Sequence, residues 1–266
     1  MDEPPDHRHP KPWTISGNVV DPLRRTIRPA TPYDHSGATL DAGAVASLLD
    51  RPGIGYLSET MDYPGVIAGD PEVLAKIAAA RAQGKPVDGH APRLRGPQAA
   101  AYAAAGITTD HECVTLDEAL EKIVLGMQIL IREGSAARNF DALASLLDTH
   151  PDRCMLCSDD KHPDALLTGH IDALVRRATA RGSDLFDVLQ VACVNPVRHY
   201  GLRVGLLQAG DRADFLEVDD LASLRIRRVF VAGKLAADDG TSTWPRPTPI
   251  SAAGHGPSDP NWPPPS

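Results

Sequence analysis

Large rings are scarce in this sequence. Phenylalanine, tryptophan and tyrosine make up 5% of its 266 residues, so the core cannot rest on aromatic stacking. Alanine supplies much of the 42% apolar content, which favours tight, helix-rich packing. Long apolar runs are missing too. None approaches the ~20 residues that span a bilayer, which excludes a membrane-spanning helix. Basic charge is in deficit, with a net charge of -8. Phosphate backbones and anionic lipid surfaces both need a basic stripe, so neither nucleic acid nor membrane is expected as a partner. The four cysteines are scattered and form no disulfide framework, which fits a reducing cytoplasm. The opening stretch MDEPPDHRHPKPW is acidic and proline-rich and lacks the apolar segment of a secretory signal.

What is present is an alternation of strand and helix. Residues 1–13 are expected to form a disordered tail, and His7-Arg8-His9 within it is read as unstructured rather than as a metal pair. Residues 14–30 suggest one part of a small β-domain, with short strands over Ile15 to Ile27 and a turn at Asp21-Pro22. Residues 31–204 carry the repeating pattern. A helix is expected over Asp41 to Asp50 and a strand from Ile54 that ends at Glu59. Asp70-Pro71 then starts a helix, with an N-cap carboxylate followed by proline at the first helical position. Lys85 to Glu112 reads as a strand ending at His90, an alanine-rich helix, and a strand ending at His111. Gly89 is expected to turn the backbone sharply. Thr115 and Glu118 form a capping-box signature.

Met127 to Ile131 is a strand leading into Arg132, Glu133, Gly134 and Ser135. A helix follows over Asn139 to Leu147, and Cys154 to Cys157 is a strand ending at Asp159. Two helices come next, Asp164 to Arg181 and Asp184 to Val194, and Asn195-Pro196 is expected to break the second. Residues 205–238 alternate like exposed strands and complete the small β-domain, with Arg225 to Val231 as a partner for the strands near residues 19–27. Residues 239–266 are expected to be a disordered tail.

Alternating strands and helices imply a parallel sheet, either open or closed into a barrel. In both, strand C-termini share one edge. Glu59, His90, His111, Glu133 and Asp159 all stand at such ends. Carboxylates and imidazoles converging on one rim suit a divalent ion of the Zn, Fe or Mn kind. Such an ion lowers the pKa of bound water. The Cys154–Cys157 pair is a weaker metal signal, because strand alternation sends the two sulfurs to opposite faces. Cys113 and Cys193 read as small core residues, and the arginines at 176, 177 and 181 as a solvated helix face.

ETMDYPGVIAG, VDGHAP, AAGITTDHE, IREGSAARN, CSDD and LLQAGDRADFLEVDDL, in that order, make the chain similar to the adenine deaminases of the amidohydrolase superfamily. The similarity runs from about residue 28 to about residue 235. It implies a partial (β/α)8 barrel of the metal-dependent hydrolase type with a small β-domain. The implied reaction is adenine plus water to hypoxanthine plus ammonia, by metal-activated hydroxide attacking C6. Glu59, His90, His111 and Asp159 are then the metal ligands, with Glu59 bridging and Asp159 also moving the proton. Glu133 and Ser135 line the substrate site. Mn(II) or Fe(II) is the implied ion, and Zn(II) also suits the ligands.

The resemblance has gaps. A His-x-His pair and an Asp-Pro-His-Glu stretch, which relatives carry between the opening β-strands and the rest of the barrel, are missing here. The sequence reads as an internally deleted and C-terminally truncated form. Any bound metal is therefore expected to be single and weakly held, and exposed sheet edges are expected to drive self-association into homo-oligomers. Three readings of function stand: an adenine deaminase, an inactive fragment of one, or a hydrolase of another cyclic amide or amidine.

Overall fold

A computed structural model describes residues 40–245. The expectations for residues 1–39, including His7-Arg8-His9 and the strands over 15–27, lie outside the described residues. So does the tail from residue 246.

The first half is a set of parallel strands: β1 (Leu57–Thr60), β2 (Val87–Gly89), β3 (Thr109–Asp110), β4 (Gln128–Arg132) and β5 (Cys154–Cys157). β1 pairs with β2, and β3, β4 and β5 pair in order. A backbone hydrogen bond of 2.8 Å from Thr108 N–H to Val87 O joins the two groups. Among the described residues the sheet does not close, and β1 and β5 have no outer strand neighbour. The architecture is a partial (β/α)8 barrel. The second half is an antiparallel sheet of β6 (Phe215–Val218), β7 (Ile226–Val231), β8 (Lys234–Asp238) and β9 (Thr241–Ser242). Its last strand lies past the boundary expected at residue 238.

The helices in order are α1 (Ala42–Leu49), α2 (Tyr63–Ala68), α3 (Pro71–Ala82), α4 (Gly96–Ala104), α5 (Leu116–Val124), α6 (Phe140–Leu143), α7 (Leu146–Thr149), α8 (Pro163–Leu166), α9 (Ile171–Ala180), α10 (Leu185–Leu189) and α11 (Asn195–Tyr200). Caps read from sequence are in place. Asp70 accepts from the N–H groups of Glu72 and Val73 at the start of α3, where Pro71 needs no donor partner. Thr115 Oγ1 accepts from Glu118 N–H at the start of α5.

Period-two alternation divides the strands. Val87, Ile129, Ile131, Cys154 and Leu156 face outward into cores formed with the helices. Leu130, Met155 and Cys157 face inward and meet Tyr200 in a small inner cluster. Cys154 and Cys157 thus lie in different clusters, and neither burial site offers a paired thiol.

Four details differ from the sequence reading. Pro196 does not end a helix. Gln190–Val194 form a π turn and the helical run continues through α11. A proline cannot donate to the ladder, and a π turn absorbs that missing bond. Asn195 locks the turn inward, its Nδ2 donating to the carbonyls of Pro151 and Cys154 at 2.7 Å each. The helix expected over 164–181 is divided at Gly169, whose φ of 146° lies outside helical space. That expected over 139–147 is divided into α6 and α7. Cys193 is exposed, not a core residue.

Candidate metal centre

Glu59 reaches the rim through an irregularity. Leu57 faces the outer core, and strict alternation would send Glu59 the same way. The β1–β2 register shifts between Leu57 and Thr60, so that Ser58 and Glu59 of β1 together oppose Asp88 of β2. That bulge re-aims Glu59 to the inner face. His90 follows β2 with the parity of inward Asp88, and His111 follows β3 with the parity of Thr109, whose Oγ1 donates to Asp88 at 2.8 Å. Gly89 between them serves space rather than a sharp turn. A Cβ there would stand 2.3 Å from Thr109 O and 2.8 Å from a methyl of Ile107.

The side chains converge. His90 Nδ1 lies 3.2 Å from His111 Nε2. Glu59 Oε2 is 3.8 Å from His90 Nδ1, and its Oε1 is 3.9 Å from His111 Nε2. One donor atom from each of the three lies within 4.8 Å of the others. Two ligands about 2.1 Å from one ion stand about 3.0 Å apart at a right angle and about 3.4 Å apart at a tetrahedral angle, and never more than about 4.2 Å. The 3.2 Å separation of the imidazole nitrogens falls inside those limits, Glu59 turns one oxygen toward each imidazole at 3.8–3.9 Å, and a donor set of two nitrogens and a carboxylate suits Zn, Fe or Mn. The residues present therefore fit a divalent ion.

Buried anchors hold this arrangement. Tyr102, on α4 and fully buried, donates to Thr60 O at 2.7 Å and accepts from His90 N–H at 3.0 Å. It ties the end of β1 to the end of β2. Lys122, on α5 and 0% exposed, donates to Ala91 O at 2.8 Å, Asp110 Oδ2 at 3.0 Å and Glu118 Oε1 at 2.9 Å. Ala91 follows His90 and Asp110 precedes His111, so one ammonium braces both imidazole-bearing ends. Burial alone would pull the Lys122 pKa down, but the facing carboxylates outweigh it and the group is held charged, above its ordinary value. Asn139 braces the other side, its Nδ2 donating to His111 O and Cys113 O at 3.1 Å each.

Beside the first trio lies a second cluster of His111, Glu112 and Asp159. Arg132, at the end of β4, points into it. Its guanidinium donates to both oxygens of Glu112, the Nη2–Oε2 bond measuring 2.9 Å, and to Asp159 Oδ2. Asp159 Oδ1 accepts from Asp160 N–H at 2.6 Å, and Asp159 holds a φ of 48°, strained for a side chain with a Cβ. All these groups line one cavity of about 380 Å³, with Gly134, Ala136 and Ala137 on its wall.

The structure brings Glu59, His90, His111 and Asp159 to this cavity and does not bring Glu133. Glu133 has the outward parity of Ile129 and Ile131. It pairs with Arg177 at 3.2 Å and lines a separate cleft with Asp141 and Phe140. Arg177 also stacks 4.4 Å above Phe140, so it is more than a solvated face. Ser135 is turned toward the neighbouring loop, where its Oγ accepts from His162 N–H at 2.9 Å. Glu112 and Arg132 were not singled out from sequence as site residues. The parity that excludes Glu133 would have selected Arg132. Beneath the rim, Asp88 accepts from Thr109 and from Tyr200 Oη, and burial pushes its carboxyl up to about 7.

The sequence profile described as amidohydrolase family matches residues 21–236. Adenine deaminase of Salinibacter ruber is 63% identical over 212 residues, covering 80% of this chain and 39% of that protein. Adenine deaminase of Methanosarcina acetivorans is 52% identical over 218 residues, covering 82% of this chain and 39% of that protein. The chain thus spans about 39% of the length of these curated relatives. Among solved structures, β-aspartyl dipeptidase of Fervidobacterium islandicum AW-1 superposes with a TM-score of 0.56 at 18% identity, covering 75% of this chain and 62% of that one. N-acetyl-D-glucosamine-6-phosphate deacetylase of Mycobacterium smegmatis gives 0.53 at 21%, covering 75% and 60%. These two likenesses bear on the fold alone.

Proposed function

The chain belongs to the amidohydrolase family and is homologous to adenine deaminases, and on that premise we propose that it carries the metal-binding and proton-transfer half of an adenine-hydrolysing site. The observation that carries this reading is the convergence of Glu59, His90 and His111, from three successive strands, on one point. These three residues would hold one divalent ion, Mn(II), Fe(II) or Zn(II). Bound there, it would supply Lewis-acid activation of water near neutral pH.

The chain's own residues do the rest. Arg132 and the Asp160 amide hold both oxygens of Asp159, which fixes that carboxylate at the cavity wall. Asp159 takes a proton from the attacking water and delivers it to the exocyclic nitrogen of the purine. The water oxygen bonds to C6, the C6–N bond breaks, ammonia leaves, and hypoxanthine remains. The cavity falls within the range of small-molecule sites. The four free cysteines fit a cytoplasmic setting. No helix among the described residues is long and apolar enough to cross a membrane.

A second reading rests on the 39% coverage: the chain binds the ion but lacks segments needed for turnover. Incubating the Mn(II)-loaded chain with adenine and following its ultraviolet absorbance separates the two. The deaminase reading predicts conversion to hypoxanthine by the unmodified chain and loss of conversion, with metal content unchanged, in Asp159→Asn. Metal binding with no conversion supports the second reading. Turnover of another cyclic amidine but not of adenine would redirect the substrate assignment.

A further inference from the structure

We propose that the guanidinium of Arg132 is the resident cation of the His111–Glu112–Asp159 cluster, so that this chain loads one divalent ion, at Glu59, His90 and His111, and excludes a second. The inference rests on the metal-site reading given above. It concerns how many ions the cavity accepts and which side chain decides that number.

The two clusters share one residue, His111. His111 Nε2 faces Glu112 Oε1 at 3.4 Å and Glu59 Oε1 at 3.9 Å. One imidazole nitrogen has one lone pair and ligates one ion. If the first trio takes it, the second cluster keeps only the carboxylates of Glu112 and Asp159. Arg132 already bridges both, as a fork on Glu112 and through Nη1 on Asp159. A guanidinium does not deprotonate, so this positive charge is permanent.

Charge balance gives the same answer. The enclosed carboxylates are Glu59, Glu112 and Asp159, with side-chain exposures of 15%, 10% and 11%. Against three negative charges stand one guanidinium and, once loaded, one divalent ion. The buried site is then neutral. A second divalent ion would leave two uncompensated positive charges in a poorly solvated space. Asp160 lies exposed at the rim, where solvent screens it.

Arg132 is also fixed in place. Its backbone N–H donates to Asn139 Oδ1 at 2.7 Å, and Asn139 N–H returns a bond to Arg132 O at 3.1 Å. The same Asn139 side chain holds the His111 carbonyl. The side chain is 9% exposed. It is built into the rim rather than swinging over it.

The test is a Mn(II) titration of the full chain, with free Mn(II) read by electron paramagnetic resonance and bound metal counted after desalting. The unmodified chain should hold one Mn(II). Arg132→Gln should hold a second, with that second binding event at least tenfold tighter than any second binding event in the unmodified chain. Arg132→Lys, which keeps the charge, should stay at one. Two tightly held ions in the unmodified chain would overturn the proposal without reference to any variant. So would a single ion in a folded Arg132→Gln, or two in Arg132→Lys. No Mn(II) in the unmodified chain would remove the metal-site reading and this inference with it.

Discussion

Replacing Lys122 with methionine should cost more stability than any other single change near the rim. The two side chains have similar length, so packing is preserved and the charge is removed. Lys122 is wholly enclosed, and its three hydrogen bonds of 2.8–3.0 Å satisfy every ammonium proton. Its partners are equally enclosed, with side-chain exposures of 0% for Asp110 and 2% for Glu118. Removing one member of a buried ion pair leaves its partners charged and unpaired, a loss of about 3–5 kcal/mol. For a domain of this size each kcal/mol lowers the melting midpoint by about 2–4 °C, so the midpoint should fall by about 6–20 °C.

The loss should depend on pH in a definite direction. Without the ammonium, nothing from Lys122 offsets the burial that raises the Asp110 carboxyl above its unfolded value. The folded variant then binds more protons than its unfolded chain, and its stability is lost as pH rises above the ordinary carboxylate range. Adding Asp110→Asn and Glu118→Gln should recover part of the midpoint at pH 7. Mn(II) affinity should fall about 10–100-fold in the single variant, because the brace between the His90 and His111 strand ends is gone. Differential scanning calorimetry across this pH range is the assay. A loss below about 1 kcal/mol, or one that does not grow with pH, would refute the assignment of Lys122 as a charged brace.

Other changes carry sharper structural signatures. Gly89→Ala should weaken Mn(II) binding and lower the melting midpoint together, because its Cβ would meet the rigid Thr109 carbonyl and push the β2 end, with His90, away from β3; unchanged metal affinity would count against that close approach. His199 is held neutral by burial, its pKa pulled down to about 4. The unfolded imidazole, near 6.5, takes up a proton first as pH falls. The stability contributed by the neutral ring is therefore complete above about pH 6.5 and lost toward pH 4. The gap in melting midpoint between the unmodified chain and His199→Gln should shrink over that window, and a constant gap would show that the ring does not titrate with unfolding.

Much of the site was legible because strand ends obey simple rules. His90, His111 and Asp159 share an inward parity that two-residue alternation supplies, and the caps at Asp70 and Thr115 fixed where helices begin. Glu133, expected to line the substrate site, shows the same parity from the other side: it follows Arg132, faces the helices, and there meets Arg177. Glu59 is the opposite case. Alternation from Leu57 predicts the wrong face, and only the register shift against β2 delivers it. No local sequence feature marks such a bulge, since it arises from pairing with a distant strand. The roles of Tyr102, Lys122 and Asn139 were hidden for a related reason. Each is polar at a position that looks ordinary on its own helix or loop, and its partners come from 7 to 42 residues away or from the next turn. The π turn before Pro196 shows how tertiary bonds, here from Asn195 to the start of β5, carry a helix past a residue that would stop it in isolation.

X-ray absorption at the zinc edge of the Zn(II)-loaded chain examines the ion's surroundings directly. Glu59, His90 and His111 predict an N/O shell near 2.0–2.1 Å with outer scattering from two imidazole rings, reduced to one ring in His90→Ala. A spectrum with no imidazole scattering, or one unchanged by His90→Ala, would contradict the centre described above.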